Sequence, residues 1–76
     1  MPEKTDWEAR AANLLKAELK RRGVTYSQLT DRLQDMGVPE KEANIRNKLS
    51  RGKFSAVFFL QCLSAIGCSQ LHLGDA

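Results

Sequence analysis

Lys41-Glu42-Ala43-Asn44-Ile45-Arg46-Asn47-Lys48-Leu49-Ser50-Arg51-Gly52-Lys53 is the stretch whose reading decides the fold. Ile45 and Leu49 stand four apart, the spacing of one buried stripe on a helix over about residues 41 to 51, and Gly52 is placed to end it. Turning Ile45 and Leu49 towards a core puts Ala43, Asn44, Asn47 and Arg51 on the opposite side, with Arg46 and Ser50 at one margin. That outer face carries amides, a guanidinium and a methyl group, and no acid.

On the N-terminal side, Val38-Pro39-Glu40 forms a turn, because Pro39 disfavours helical geometry at Val38 and its fixed φ suits the entry to a new helix. Before it, Thr25 is the N-cap of a second helix in which Tyr26, Leu29, Leu33 and Met36 share one face, and Gly37 stops that helix. A first helix runs from about residue 7 to 22, capped by Thr5 or Asp6, with Trp7, Ala11, Leu14, Leu15 and Leu19 at helical spacing. Trp7 reads as its core anchor. Lys20, Arg21 and Arg22 complement the negative end of the helix dipole, and Gly23 supplies the left-handed stop.

On the C-terminal side, Ser55 caps a fourth helix containing Val57, Phe58, Leu60, Cys62, Leu63 and Ile66, closed by Gly67. Leu71 and Leu73 fall in a last short turn or helix. No segment sustains the period-two alternation that a sheet requires. The reading is an all-α protein of four to five short helices, one domain over residues 1–76 with an ordered core of about 6–73. Disorder is expected only in the first few residues and the Gly74-Asp75-Ala76 tail.

The 76 residues include 12 Lys and Arg and 9 Asp and Glu, a formal net charge of +3. A chain of this length forms one small core and excludes most large-enzyme architectures. Residues 1–42 carry eight basic and eight acidic side chains, so the whole excess lies in residues 43–76, which carry four basic and one acidic. The four are Arg46, Lys48, Arg51 and Lys53. No acid occurs between Ala43 and Gly74, so along the chain nothing there repels a polyanion.

Cys62 and Cys68 are six apart, matching neither a CxxC redox pair nor a paired zinc knuckle, and read as reduced, buried thiols. With His72 they make at most three metal donors at awkward spacing, so no metal or cofactor is expected. No Ser, Cys or carboxylate stands in a nucleophile or acid–base motif, so neither catalysis nor a small-molecule substrate is expected. The N-terminus lacks the pattern of a secretory signal, and the longest apolar run, Ala56 to Leu60, falls far short of the ~20 residues of a membrane span. A soluble protein of the reducing cytoplasm is the expectation.

Two helices joined by a turn inside a small basic all-α domain outline a helix-turn-helix DNA reader. An Asn amide matches the N7 and N6 edge of adenine bidentately, and Arg matches the two acceptors of guanine. Ala43 lets the helix approach closely or touch a thymine methyl. Asn44, Asn47 and Arg46 or Arg51 would read bases in double-stranded DNA, while Lys41, Lys48 and Lys53 would hold phosphates.

The run Val24-Thr25-Tyr26-Ser27-Gln28-Leu29, then Ile45, Leu49, Ser50-Arg51-Gly52-Lys53 and the helix ending Leu63-Ser64-Ala65-Ile66-Gly67, resembles the lambda-repressor-like, or XRE-type, helix-turn-helix domains. The resemblance spans roughly Leu14 to Leu73 and suggests a small bacterial branch of that superfamily. It implies that Thr25 caps the first motif helix, that Asn44 to Lys48 are reading positions, that Arg51 and Lys53 contact the DNA backbone, and that the protein regulates transcription. Two departures stand out. The motif turn is lengthened, Ile45 lying sixteen positions after Leu29, and Tyr26 occupies the place of a phosphate-contacting Gln, where it either donates to a phosphate or packs in the core.

The fourth helix is apolar nearly all the way round, so it is buried on more than one side. Either it is the central helix, or Phe59 and a neighbour such as Leu63 protrude and contact a second copy in a homodimer that reads two half-sites. A competing reading is a protein-interaction module that keeps the scaffold and binds a partner protein through this helix, without DNA. RNA is the weaker option, because aromatic residues make up only 7% of the chain and belong to the core.

Overall fold

The computed structural model describes residues 6–73 as four α-helices: α1 (Asp6–Arg21), α2 (Tyr26–Asp35), α3 (Glu42–Arg51) and α4 (Ala56–Ala65). The fold is all-α, with no strand among the described residues. Residues 68–73 hold no helix, so the expected last turn carrying Leu71 and Leu73 is irregular chain. Thr5 and the Gly74-Asp75-Ala76 tail lie outside the described residues.

The caps follow the sequence chemistry. Thr25 accepts a hydrogen bond from the Gln28 backbone N–H at 3.1 Å, and the Gln28 side chain accepts one from the Thr25 N–H at 2.9 Å, a complete capping box. Ser55 caps α4 by accepting from the Phe58 N–H at 3.0 Å. At the other ends, α1, α2 and α4 finish alike. After α1, the Gly23 and Val24 N–H groups donate back to Lys20 and Leu19, and the same pattern returns at Gly37–Val38 and Gly67–Cys68. The residue after each glycine then turns inward, which places Val24, Val38 and Cys68 against the core.

Each of α1 and α2 packs against both α3 and α4. The centre is apolar and close-packed, with Leu15, Leu29, Leu33, Ile45, Leu49 and Cys62 fully buried. Both thiols are free and buried, as their setting suggested.

Three expectations about the core change. The buried seam of α1 runs through Ala12, Leu15, Glu18 and Leu19, about a quarter turn from Trp7 and Leu14. Trp7 is accordingly no core anchor: it is 74% exposed, its ring lying under the Arg10 guanidinium at 5.3 Å. Met36 leaves the core face of α2, because the helix stops there and the chain turns outward, and Val38 packs in its place. The third change is a carboxylate in the interior. Glu18 is buried and held by Arg21 at 3.0 Å and Arg22 at 3.3 Å, so these two arginines do more than oppose the helix dipole.

Candidate nucleic-acid interface

Ile45 and Leu49 are fully buried, and that fixes the rotation of α3. Ala43, Asn44, Arg46, Asn47, Ser50 and Arg51 are all exposed, with Lys41 exposed at the N-cap and Lys53 just past the end. The outer face is the one its spacing predicts, with Asn47 opposite the buried pair. Asn44, Asn47, Arg51 and Lys41 make no side-chain hydrogen bond or ion pair among the described residues, so their polar groups point to solvent and are available to a ligand.

The charge of this face is less than the sequence suggested, because the fold brings acids to three of its four cations. Arg46 pairs with Glu42 at 2.6 Å, Lys48 with Glu40 at 3.1 Å, and Lys53 approaches Glu8 at 4.0 Å. These pairs differ in their commitment. Arg46 and Glu42 are both well exposed, so their mutual attraction is worth at most about 1 kcal/mol and is readily broken. Lys48 is held more firmly: its partner Glu40 is mostly buried, and its ammonium sits 4.4 Å from the Phe58 ring centre on α4. Lys48 is thus the expected phosphate contact that the structure turns towards the interior side of α3.

Beneath that pair lies Cys62. Burial pushes its thiol up from an ordinary 9.0 to about 12; the nearby Glu40 carboxylate adds to the rise, and Lys48 opposes it. The thiol is neutral and part of the packing, with no nucleophilic character near neutral pH.

Tyr26 lies half-buried against the core with the Arg46 guanidinium 5.4 Å from its ring centre. This contact packs the start of α2 against the margin of α3. Of the two roles open to Tyr26, packing is the one its position serves.

The expected dimer residues are relocated. Leu63 is 6% exposed, inside the core, because it follows Phe58 and Cys62 on the buried side of α4. Phe59 is half-buried and stacks on Phe54 with ring centres 5.9 Å apart. The large apolar side chains that α4 does present are Val57 and Leu60, one helical turn apart.

A family model described as a domain of unknown function, DUF6471, matches residues 7–71, and the chain belongs to that family. No curated protein and no solved structure matches the chain.

Proposed function

We propose that this DUF6471 domain binds double-stranded DNA, with the outer face of α3 in the major groove, and acts as a small transcriptional regulator in the cytoplasm. One observation carries the reading: Asn44, Asn47 and Arg51 project together from one side of α3, with no acid among them and no internal partner among the described residues. Asn is suited to adenine and Arg to guanine, and the small Ala43 beside them allows close approach of the helix. Lys41 at the start of α3 and Lys53 after its end are spaced to meet phosphates on either side of the groove, and Arg46 joins them when Glu42 releases it. The α2–α3 pair, with its turn lengthened around Pro39, is read as the helix-turn-helix, in keeping with the resemblance to lambda-repressor-like domains. The role is binding, without catalysis, cofactor or metal.

Titration of a random duplex pool at several salt concentrations tests this. Neutralising three or four phosphates gives a slope of about −2.7 to −3.6 in log K against log salt. Val57 and Leu60, exposed on α4, favour a second reading in which the scaffold binds only a protein. Absence of any salt-dependent duplex binding would select that reading over the first.

A further inference from the structure

Four of the large apolar side chains left in solvent belong to one band. Trp7 lies under Arg10, whose guanidinium donates to the Leu73 carbonyl at 3.2 Å and so ties the C-terminal chain to α1. Two residues before Leu73, Leu71 forms one wall of a groove of about 560 Å³ that Leu60 and Leu63 of α4 line with it. Val57 continues the band one turn back along α4. Val57, Leu60 and Leu73 are 63%, 64% and 59% exposed.

We infer that this band, running from Trp7 through Leu73 and Leu71 to Leu60 and Val57, is a self-association surface that a second copy of the chain covers. Two features of the band point to a second copy. The first is charge: from Ala56 to Leu73 there is no Asp, Glu, Lys or Arg, and Arg10 is occupied by Trp7 and Leu73. A charged peptide or a polyanion finds only Arg10 there, already engaged, whereas two chains of net charge +3 can meet over the charge-free α4 and C-terminal part of this face without opposing like charges there. The second is area. Trp7, Val57, Leu60 and Leu73 together leave on the order of 500 Å² in water, towards the upper end of the largest patch a monomer carries and of the size that is commonly functional, and a rim of Ser64, Gly67 and Ser69 extends it towards the ~800 Å² per partner of a stable dimer. A two-fold contact uses the same patch twice, so Leu60 of each copy can enter the groove beside Leu71 of the other.

The band contains no residue of α3, so association leaves the outer face of that helix free. The inference therefore stands or falls separately from DNA binding.

Sedimentation equilibrium of the full chain from about 10 µM to about 1 mM tests it, alongside Leu60→Glu and Val57→Glu. Both positions are exposed, so neither variant disturbs the core, and helical circular dichroism verifies that each is folded. The wild type is expected to move from monomer to dimer across the range, and the variants to lose at least tenfold in association constant. Trp7, the single tryptophan of the chain, gives a second reading: its emission shifts to the blue as the wild type is concentrated and stays constant in Leu60→Glu. A wild type that remains monomeric at ~1 mM, or a folded Leu60→Glu that dimerises as tightly as the wild type, overturns the inference.

Discussion

Gly52 at the end of α3 lies against the backbone of Glu8 in the first turn of α1, so closely that a Cβ on Gly52 would fall 2.8 Å from the Glu8 carbonyl carbon and nearer still to its oxygen. The contact joins the last turn of α3 to a helix 44 positions earlier in the chain. Gly52 also has φ +70°, as the left-handed stop of α3 requires. Glycine is needed there twice over, for conformation and for space.

Gly37 separates the two requirements. It has φ +82°, but nothing lies within 4 Å of the position its Cβ would take. Gly37→Ala is expected to cost about 1 kcal/mol, the conformational part alone, and Gly52→Ala about 3 kcal/mol or more, because the α1–α3 contact must open as well. Urea unfolding of the two variants checks the difference. Equal losses would mean that the contact yields without cost.

The thiol of Cys62 makes a prediction in pH. Its folded value of about 12 lies above the ordinary 9.0, so between these limits the folded chain keeps a proton that the unfolded chain loses. Its contribution to stability is complete below pH 9 and is lost as pH rises towards 12, amounting to about 1 kcal/mol at pH 10. Urea midpoints at pH 8 and pH 10 measure the loss, and Cys62→Ala is expected to reduce the dependence. An unchanged dependence in Cys62→Ala would remove Cys62 as its source.

In the proposed complex, the exposed Arg46–Glu42 pair competes with a phosphate for the guanidinium. Glu42→Gln removes an anion from the edge of the proposed DNA face and frees the guanidinium, and is expected to tighten duplex binding about 2–5-fold at low salt, less at high salt. Fluorescence anisotropy with a labelled duplex reads this directly. Weaker binding by Glu42→Gln would show that Glu42 supports the interface instead.

Local chemistry made most of the fold legible. The Thr25–Gln28 capping box, the Ser55 cap, the glycines after each helix and the Ile45–Leu49 stripe are encoded within a few residues, and they fix the four helices and the outward face of α3. The Glu42–Arg46 pair was also open to reading, as an acid four positions before a base on one helix. Long-range neighbours were not. Glu8 reaches Lys53 only because α1 crosses α3 at Gly52, and Glu40 reaches Lys48 only because the Pro39 turn folds back on α3. A charge count along the chain therefore overstated the free positive charge, of which Arg51 and Lys41 remain unpaired among the described residues. The seam of α1 misled for a related reason: Glu18 occupies a buried position that a hydrophobic pattern assigns to an apolar residue, and its two arginines compensate it. A pattern that expects an apolar residue at position 18 turns Trp7 inward, whereas the helix is rotated to face it out.

Selection of bound sequences from a random duplex library at near-physiological salt, with wild type and Asn47→Ala side by side, bears most directly on the role of α3. The wild type is expected to enrich a defined motif containing an adenine, and Asn47→Ala to lose about 1–3 kcal/mol on that motif while keeping its affinity for unrelated duplexes. No enrichment by the folded wild type, or an identical motif and affinity in Asn47→Ala, would contradict the assignment of α3 as the reading helix.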